Sequence, residues 1–93
     1  MDCSEILKIS SALLDEKGTG YDNGKERSMA KIVAAFNTIT GHTLTELEGW
    51  EFMKVLKAVR MFTTDIPSSD TFFDAVSYSA LQAEAFMNRA EQS

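Results

Sequence analysis

The stretch "GWEFMKVLKAVRMFTTDIPSSDTFFDAVSYSALQAEAF", residues 49–86, decides the fold. Apolar residues return every three or four positions in two long runs. Between the runs lies "TTDIPSSD", which holds the only proline of the chain, Pro67, and a Ser68 or Ser69 that can cap a new helix. Spacing of three and four is the mark of a helix face, and a proline followed by serine marks a turn and a fresh N-terminus. Two helices joined by so short a turn form an antiparallel hairpin. In that hairpin the numbers of facing residues sum to about 130 or 131, given equal rise along both helices. Asp74 then lies beside Lys57 and Asp70 beside Arg60, with Tyr78 one turn further on, level with Met53. Lys57 and Arg60 are three apart and share a face; Asp70 and Asp74 are four apart and share theirs.

Two uses of this constellation follow. The pairs can be partly buried ion pairs that set the register of the hairpin. Alternatively, the acids hold Lys57 and Arg60 so that both cations face a phosphate. Tyr78 is correspondingly either an amphipathic residue at the core edge or a stacking and hydrogen-bonding group for a ligand. Phe52, Val55, Leu56, Val59 and Phe62 read as the core stripe of the first helix of the hairpin. Trp50, Met53 and Met61 lie off that stripe, and a second apolar face on a small helix points to a larger core or a subunit interface.

Upstream, "GHTLTELEG" offers two overlapping capping boxes, Thr43 with Glu46 and Thr45 with Glu48. Before it, "RSMAKIVAAFNTIT" places Met29, Ile32, Val33 and Phe36 at helical spacing and closes on Gly41. The first helix starts near Ser4, carries Ile6, Leu7, Ile9, Leu13 and Leu14, and stops before Gly18. The intervening "KGTGYDNGKE" is a glycine-rich loop, the longest of the chain and expected to be mobile. Helices are expected at about 4–16, 25–40, 45–62 and 69–90. No run alternates with period two, so the fold class is all-α: one small four-helix domain over residues 1–93. The Ala and Ser content between Ala75 and Ala85 lets another helix approach the last one closely.

Composition narrows the function. The hydrophobic share of 44%, including six Phe and five Met, is ample for a packed core. A chain this short still buries only about 60–65% of its unfolded surface, so homo-oligomerisation is expected. A net charge of −5 argues against direct nucleic-acid binding, which depends on neutralising phosphates with Lys and Arg. Cys3 is the only cysteine, so no internal disulfide is possible, and a reducing cytoplasm is the expected location. The N-terminal segment lacks the basic and apolar regions of a signal peptide, and no run suits a membrane helix. His42 stands alone after the helix-ending Gly41, and Cys3 has no histidine in sequence reach, so neither suggests zinc or nucleophilic chemistry.

"GYDNGKERSMAKIVAAFNTITGHTLTELEGWEFMKVLKAVR" followed by "DTFFDAVSYSALQAEA" resembles a family of small, mostly uncharacterised phage and prophage helical proteins. The family pattern is an Asp-Tyr-Gly-type loop, a helix ending in a Gly turn, a Lys-x-x-Arg helix, and an Asp-x-x-x-Asp followed by an Ala-rich Tyr segment. Here these are Tyr21 in the loop, Lys57 with Arg60, Asp70 with Asp74, and Tyr78. The loop departs from the pattern, with Gly20 before Tyr21 and Asp22 after it. The resemblance implies a phage-encoded helical accessory protein, acting in the host cytoplasm, with no settled activity to carry over. The chain is also distantly similar to nucleotide-modification-associated domains and to all-α pyrophosphohydrolases of the MazG type.

Those hydrolases hold Mg²⁺ on paired acidic motifs, because triphosphate cleavage needs several oxygen ligands around a hard cation. Glu48 and Glu51 make one such Glu-x-x-Glu, and Glu84 is the acid that the hairpin brings nearest. The register otherwise separates these acids from Asp74, and their placement in a first turn also answers the helix dipole. The leading expectation is therefore a non-catalytic accessory protein without a cofactor that binds a nucleotide or a nucleotide-like signal, with a possible counter-defence role. Lys57 and Arg60 would contact phosphate, Tyr78 or Tyr21 would pack on the base, and Lys17, Lys25 and Arg27 flank the glycine loop. The alternatives are a Mg²⁺-dependent pyrophosphohydrolase using Glu48, Glu51 and Glu84, and a protein-interaction module or host-factor inhibitor using the acidic surface and the Trp50 face.

Overall fold

The computed structural model describes residues 1–18 and 28–92, with side chains placed for 1–15 and 28–88. Among these described residues lie four helices: α1 (Cys3–Gly18), α2 (Met29–Thr40), α3 (Glu46–Thr63) and α4 (Ser69–Gln92). No strand occurs among the described residues. The all-α class and the α3–α4 hairpin stand as expected. The glycine loop with Tyr21, Lys25 and Arg27 lies outside the described residues, as does the side chain of Lys17.

Local chemistry explains the helix ends. α1 begins at Cys3, one residue ahead of the Ser4 start expected, because Asp2 caps it: the Glu5 amide donates to Asp2 Oδ1 at 2.9 Å. α2 closes on Gly41, whose φ of 77° is left-handed and whose amide donates to the Asn37 carbonyl at 2.8 Å. Of the two candidate capping boxes at α3, the chain forms the second. The Glu48 amide donates to Thr45 Oγ1 at 3.1 Å, and the Thr45 amide donates to Glu48 Oε1 at 2.9 Å. Asn37 fixes the α2–α3 turn by bonding both the amide and the carbonyl of Leu44, at 2.8 and 2.9 Å.

The helix backbones pack in the spatial order α1–α4–α3–α2, with the α3–α4 contact by far the largest. This is an open row, and it leaves little interior. Among the described residues only Met29, Val33, Trp50 and Leu81 are buried apolar residues, with Leu14, Leu44, Met53, Tyr78 and Ala85 packed around them. Ser10 and Ser77 are also buried, and Ser10 Oγ lies 3.4 Å from the Phe73 carbonyl across the α1–α4 contact. The small residue at this crossing is Ser10 of α1, which meets α4 at Phe73.

α3 corrects the sequence reading. Its interior face carries Gly49, Trp50, Met53 and Lys57, whereas Phe52, Val55, Val59 and Phe62 of the expected core stripe are 69%, 51%, 52% and 87% exposed. Leu56, between the two faces, is half-buried. Trp50, expected on an outer face, is 5% exposed and central to the core.

Gly49 is what lets α2 sit against α3. A Cβ there would meet Met29 Sδ at 2.5 Å and Val33 Cγ1 at 2.9 Å, inside van der Waals contact. Gly49→Ala is therefore expected to lower the melting temperature. Overpacking costs about 1–3 kcal/mol, and the better helix propensity of alanine returns at most about 1 kcal/mol. Thermal unfolding followed by circular dichroism checks this; an unchanged or raised midpoint would mean that α2 is not seated on Gly49.

Candidate functional site: a buried ion pair and an uncovered apolar face

The hairpin register brings Lys57 to Asp74. Lys57 Nζ lies 2.9 Å from Asp74 Oδ2, and Lys57 is only 8% exposed. The ammonium also stands 5.9 Å from the centre of the Tyr78 ring, within cation–π range, and that ring tilts against Trp50 at 5.7 Å. Trp50, Tyr78, Lys57 and Asp74 therefore form one continuous cluster between α3 and α4. A buried ammonium must have its charge answered locally, and here a carboxylate and an aromatic face do so.

The second expected pair does not form. Arg60 and Asp70 are both exposed, and no ion pair joins them. Asp70 instead uses its amide at the start of α4, donating to Ser68 Oγ at 3.1 Å. Near the turn both side chains lie in water, where a charge pair gains too little to hold two long side chains in place.

One polar cluster was not anticipated. Gln82 Nε2 donates to the Leu47 carbonyl at 3.0 Å and to Glu51 Oε1 at 3.1 Å, while Lys54 Nζ reaches Gln82 Oε1 at 3.0 Å and Glu51 at 3.4 Å. Its signal was present: Asp70, Asp74, Tyr78 and Gln82 follow one another at steps of four along one line of α4. The Gln82 hydrogen bond, aided by the Lys54 charge, holds the Glu51 carboxyl below its ordinary value. The backbone and hydroxyl of Thr45 do the same for Glu48. Both pKa values are depressed, so what these acids add to stability is present above the ordinary carboxylate value and is lost as pH falls through the lowered one.

Glu48 is thus engaged at the cap and Glu51 with Gln82 and Lys54. Among the described residues no group of three or more His, Cys, Asp or Glu side chains is placed to hold a metal ion, so Glu48, Glu51 and Glu84 do not form the set the hydrolase alternative requires. His42 stacks on Phe36 with ring centres 5.8 Å apart, and Cys3 is exposed. No helix among the described residues is long and apolar enough to cross a membrane.

The largest unsatisfied feature is apolar. Phe52, Val55, Val59 and Phe62 of α3 are exposed, as are Ile66 in the turn and Ile32, Phe36 and Ile39 of α2. Between α2 and α3 runs a groove of about 290 Å³ whose walls include Ile32, Phe36, Leu44, Phe52 and Met53, with almost no polar surface. Comparison with known proteins finds no counterpart: no family model, no curated protein and no solved structure matches the chain.

Proposed function

We propose that this protein is a non-catalytic helical interaction module whose working surface is the apolar face of α2 and α3. The observation that carries the reading is the inversion of α3: its aromatic and β-branched stripe faces outward while the buried core of Met29, Val33, Trp50 and Leu81 lies on the other side. An apolar patch this continuous exceeds what a solitary soluble domain ordinarily exposes and marks a surface that is covered in use. The partner surface is apolar and helical in character, since two helices place alternating ridges against such a stripe.

The nucleotide reading loses its principal cation. Lys57 is buried and bound to Asp74, so a phosphate would have to displace a carboxylate from a site with little access to water. Arg60 alone remains exposed from the expected pair.

Photo-cross-linking tests the reading. A benzophenone amino acid at position 55, 59 or 62, in the cell that makes the protein, should give discrete adducts. The same probe at exposed Ser11 or Thr38, away from the face, should give none. Absence of adducts from all three face positions would defeat the proposal. A thermal-shift panel of nucleotides with and without Mg²⁺ should be flat, and a shift lost in Arg60→Ala would restore the nucleotide reading in its place.

A further inference from the structure

We infer that the occupant of this face is a second copy of the same chain, docked antiparallel along α3 about a two-fold axis level with residue 57. The inference rests on the interaction-module reading and adds the partner's identity.

The spacing of the exposed stripe is the first argument. Phe52, Val55, Val59 and Phe62 step by three, four and three, the a/d spacing of a coiled-coil seam, and they occupy an arc of roughly 80° at 3.6 residues per turn. The stripe lies across α3 from Trp50 and Lys57, which face α4. It is also a palindrome, Phe-x-x-Val-x-x-x-Val-x-x-Phe. Laid antiparallel on itself, it sets Phe52 opposite Phe62 of the other copy and Val55 opposite Val59 of the other copy, and the reverse pairs follow by symmetry. A two-fold interface needs that self-complementarity, because the same patch must serve both subunits. A parallel pairing also sets Phe on Phe and Val on Val, so the direction is decided by shape and charge.

Shape favours the same arrangement. Phe62 is the most exposed aromatic among the described residues, at 87%, and projects from the end of α3. Phe52, its opposite number in the pairing, forms part of the wall of the apolar α2–α3 groove. Each copy therefore offers a knob at one end of the stripe and a hole at the other, and the two-fold brings each knob to the other copy's hole. Ala58, exposed beside the seam, allows the two helices to come close.

Charge and area agree. The acids near the seam, Glu48 and Glu51, sit at the start of α3. Antiparallel order keeps those of the two copies at opposite ends, whereas parallel order would bring them together. With aromatic side chains offering about 150–250 Å² each, the stripe together with Ile32, Phe36 and Ile66 presents on the order of 600–800 Å², close to the ~800 Å² per partner of a stable interface.

Sedimentation equilibrium of the purified chain over a wide concentration range should give twice the chain mass. Phe62→Asp and Val59→Glu, both on exposed positions, should halve that mass while leaving the helical circular dichroism unchanged. Orientation is read by disulfides in a Cys3→Ser background. Val55→Cys mixed with Val59→Cys should cross-link as a mixed pair, and Val55→Cys alone should not. A wild-type monomer, a dimer that survives both charged variants, or a self-linked Val55→Cys would each overturn the inference. Adducts from positions 55, 59 and 62 with a different protein would then leave the interaction module standing with another partner. The absence of any adduct would remove both.

Discussion

Asp74→Ala is expected to destabilise the fold by about 3–5 kcal/mol, because it leaves the Lys57 ammonium buried with no carboxylate to answer it. At about 4–8 °C per kcal/mol for a chain of this size, the melting temperature should fall by more than about 10 °C. The double variant Lys57→Met with Asp74→Leu should behave differently. It removes both charges and keeps an apolar stem against Tyr78 and Trp50, a replacement that is often neutral or stabilising for buried ion pairs. Arg60→Ala and Asp70→Ala, at exposed positions without a mutual contact, should each shift stability by less than about 0.5 kcal/mol. Thermal or urea unfolding at one fixed protein concentration reads all four, since association would otherwise add its own stabilisation. If Asp74→Ala melts like the wild type while the double variant is strongly destabilised, the pair is not a register pin and the ammonium serves some other partner.

The asymmetry between these two pairs shows what the sequence could carry. A hairpin register follows from turn length and helix rise alone, so Lys57 and Asp74 were found together without any knowledge of packing. The same register set Arg60 beside Asp70, but a register gives height along the axes and says nothing of burial. At the turn end both side chains are in water, and the pair has no reason to close. α3 posed a harder choice. It carries two apolar faces, one with Trp50 and Met53 and one with Phe52, Val55, Val59 and Phe62, and periodicity reports both equally. What selects between them is α4, whose Asp74 and Tyr78 complement the face that contains Lys57, together with α2, which needs the gap at Gly49. Both are tertiary facts. The richer stripe was the natural expectation for the core, and its outward position is the reason the molecule reads as half of something larger.

The sharpest test of that inversion is Trp50→Ala, expected to cost about 3–5 kcal/mol, as for other large-to-small changes at buried aromatic positions. Trp50 is one of four buried apolar residues among those described and supports the Tyr78 ring that in turn covers Lys57, so its loss opens the core and exposes the charge beneath it. Against a total stability on the order of 5–15 kcal/mol, the variant should be at or near the edge of folding. The single tryptophan also reports directly: in the wild type its emission should be blue-shifted and poorly quenched by iodide. Val59→Ala and Phe52→Ala supply the contrast. Their side chains lie outside the core, so the intrinsic fold should lose little, and any loss of apparent stability should depend on protein concentration because it arises from dissociation. The opposite pattern, a tolerant Trp50 and concentration-independent unfolding in Val59→Ala, would mean that α3 is turned by about half a revolution from the orientation described, since Trp50 and Val59 lie on opposite sides at 3.6 residues per turn. The palindromic seam would then be core, and the self-association argued from it would have no surface on which to act.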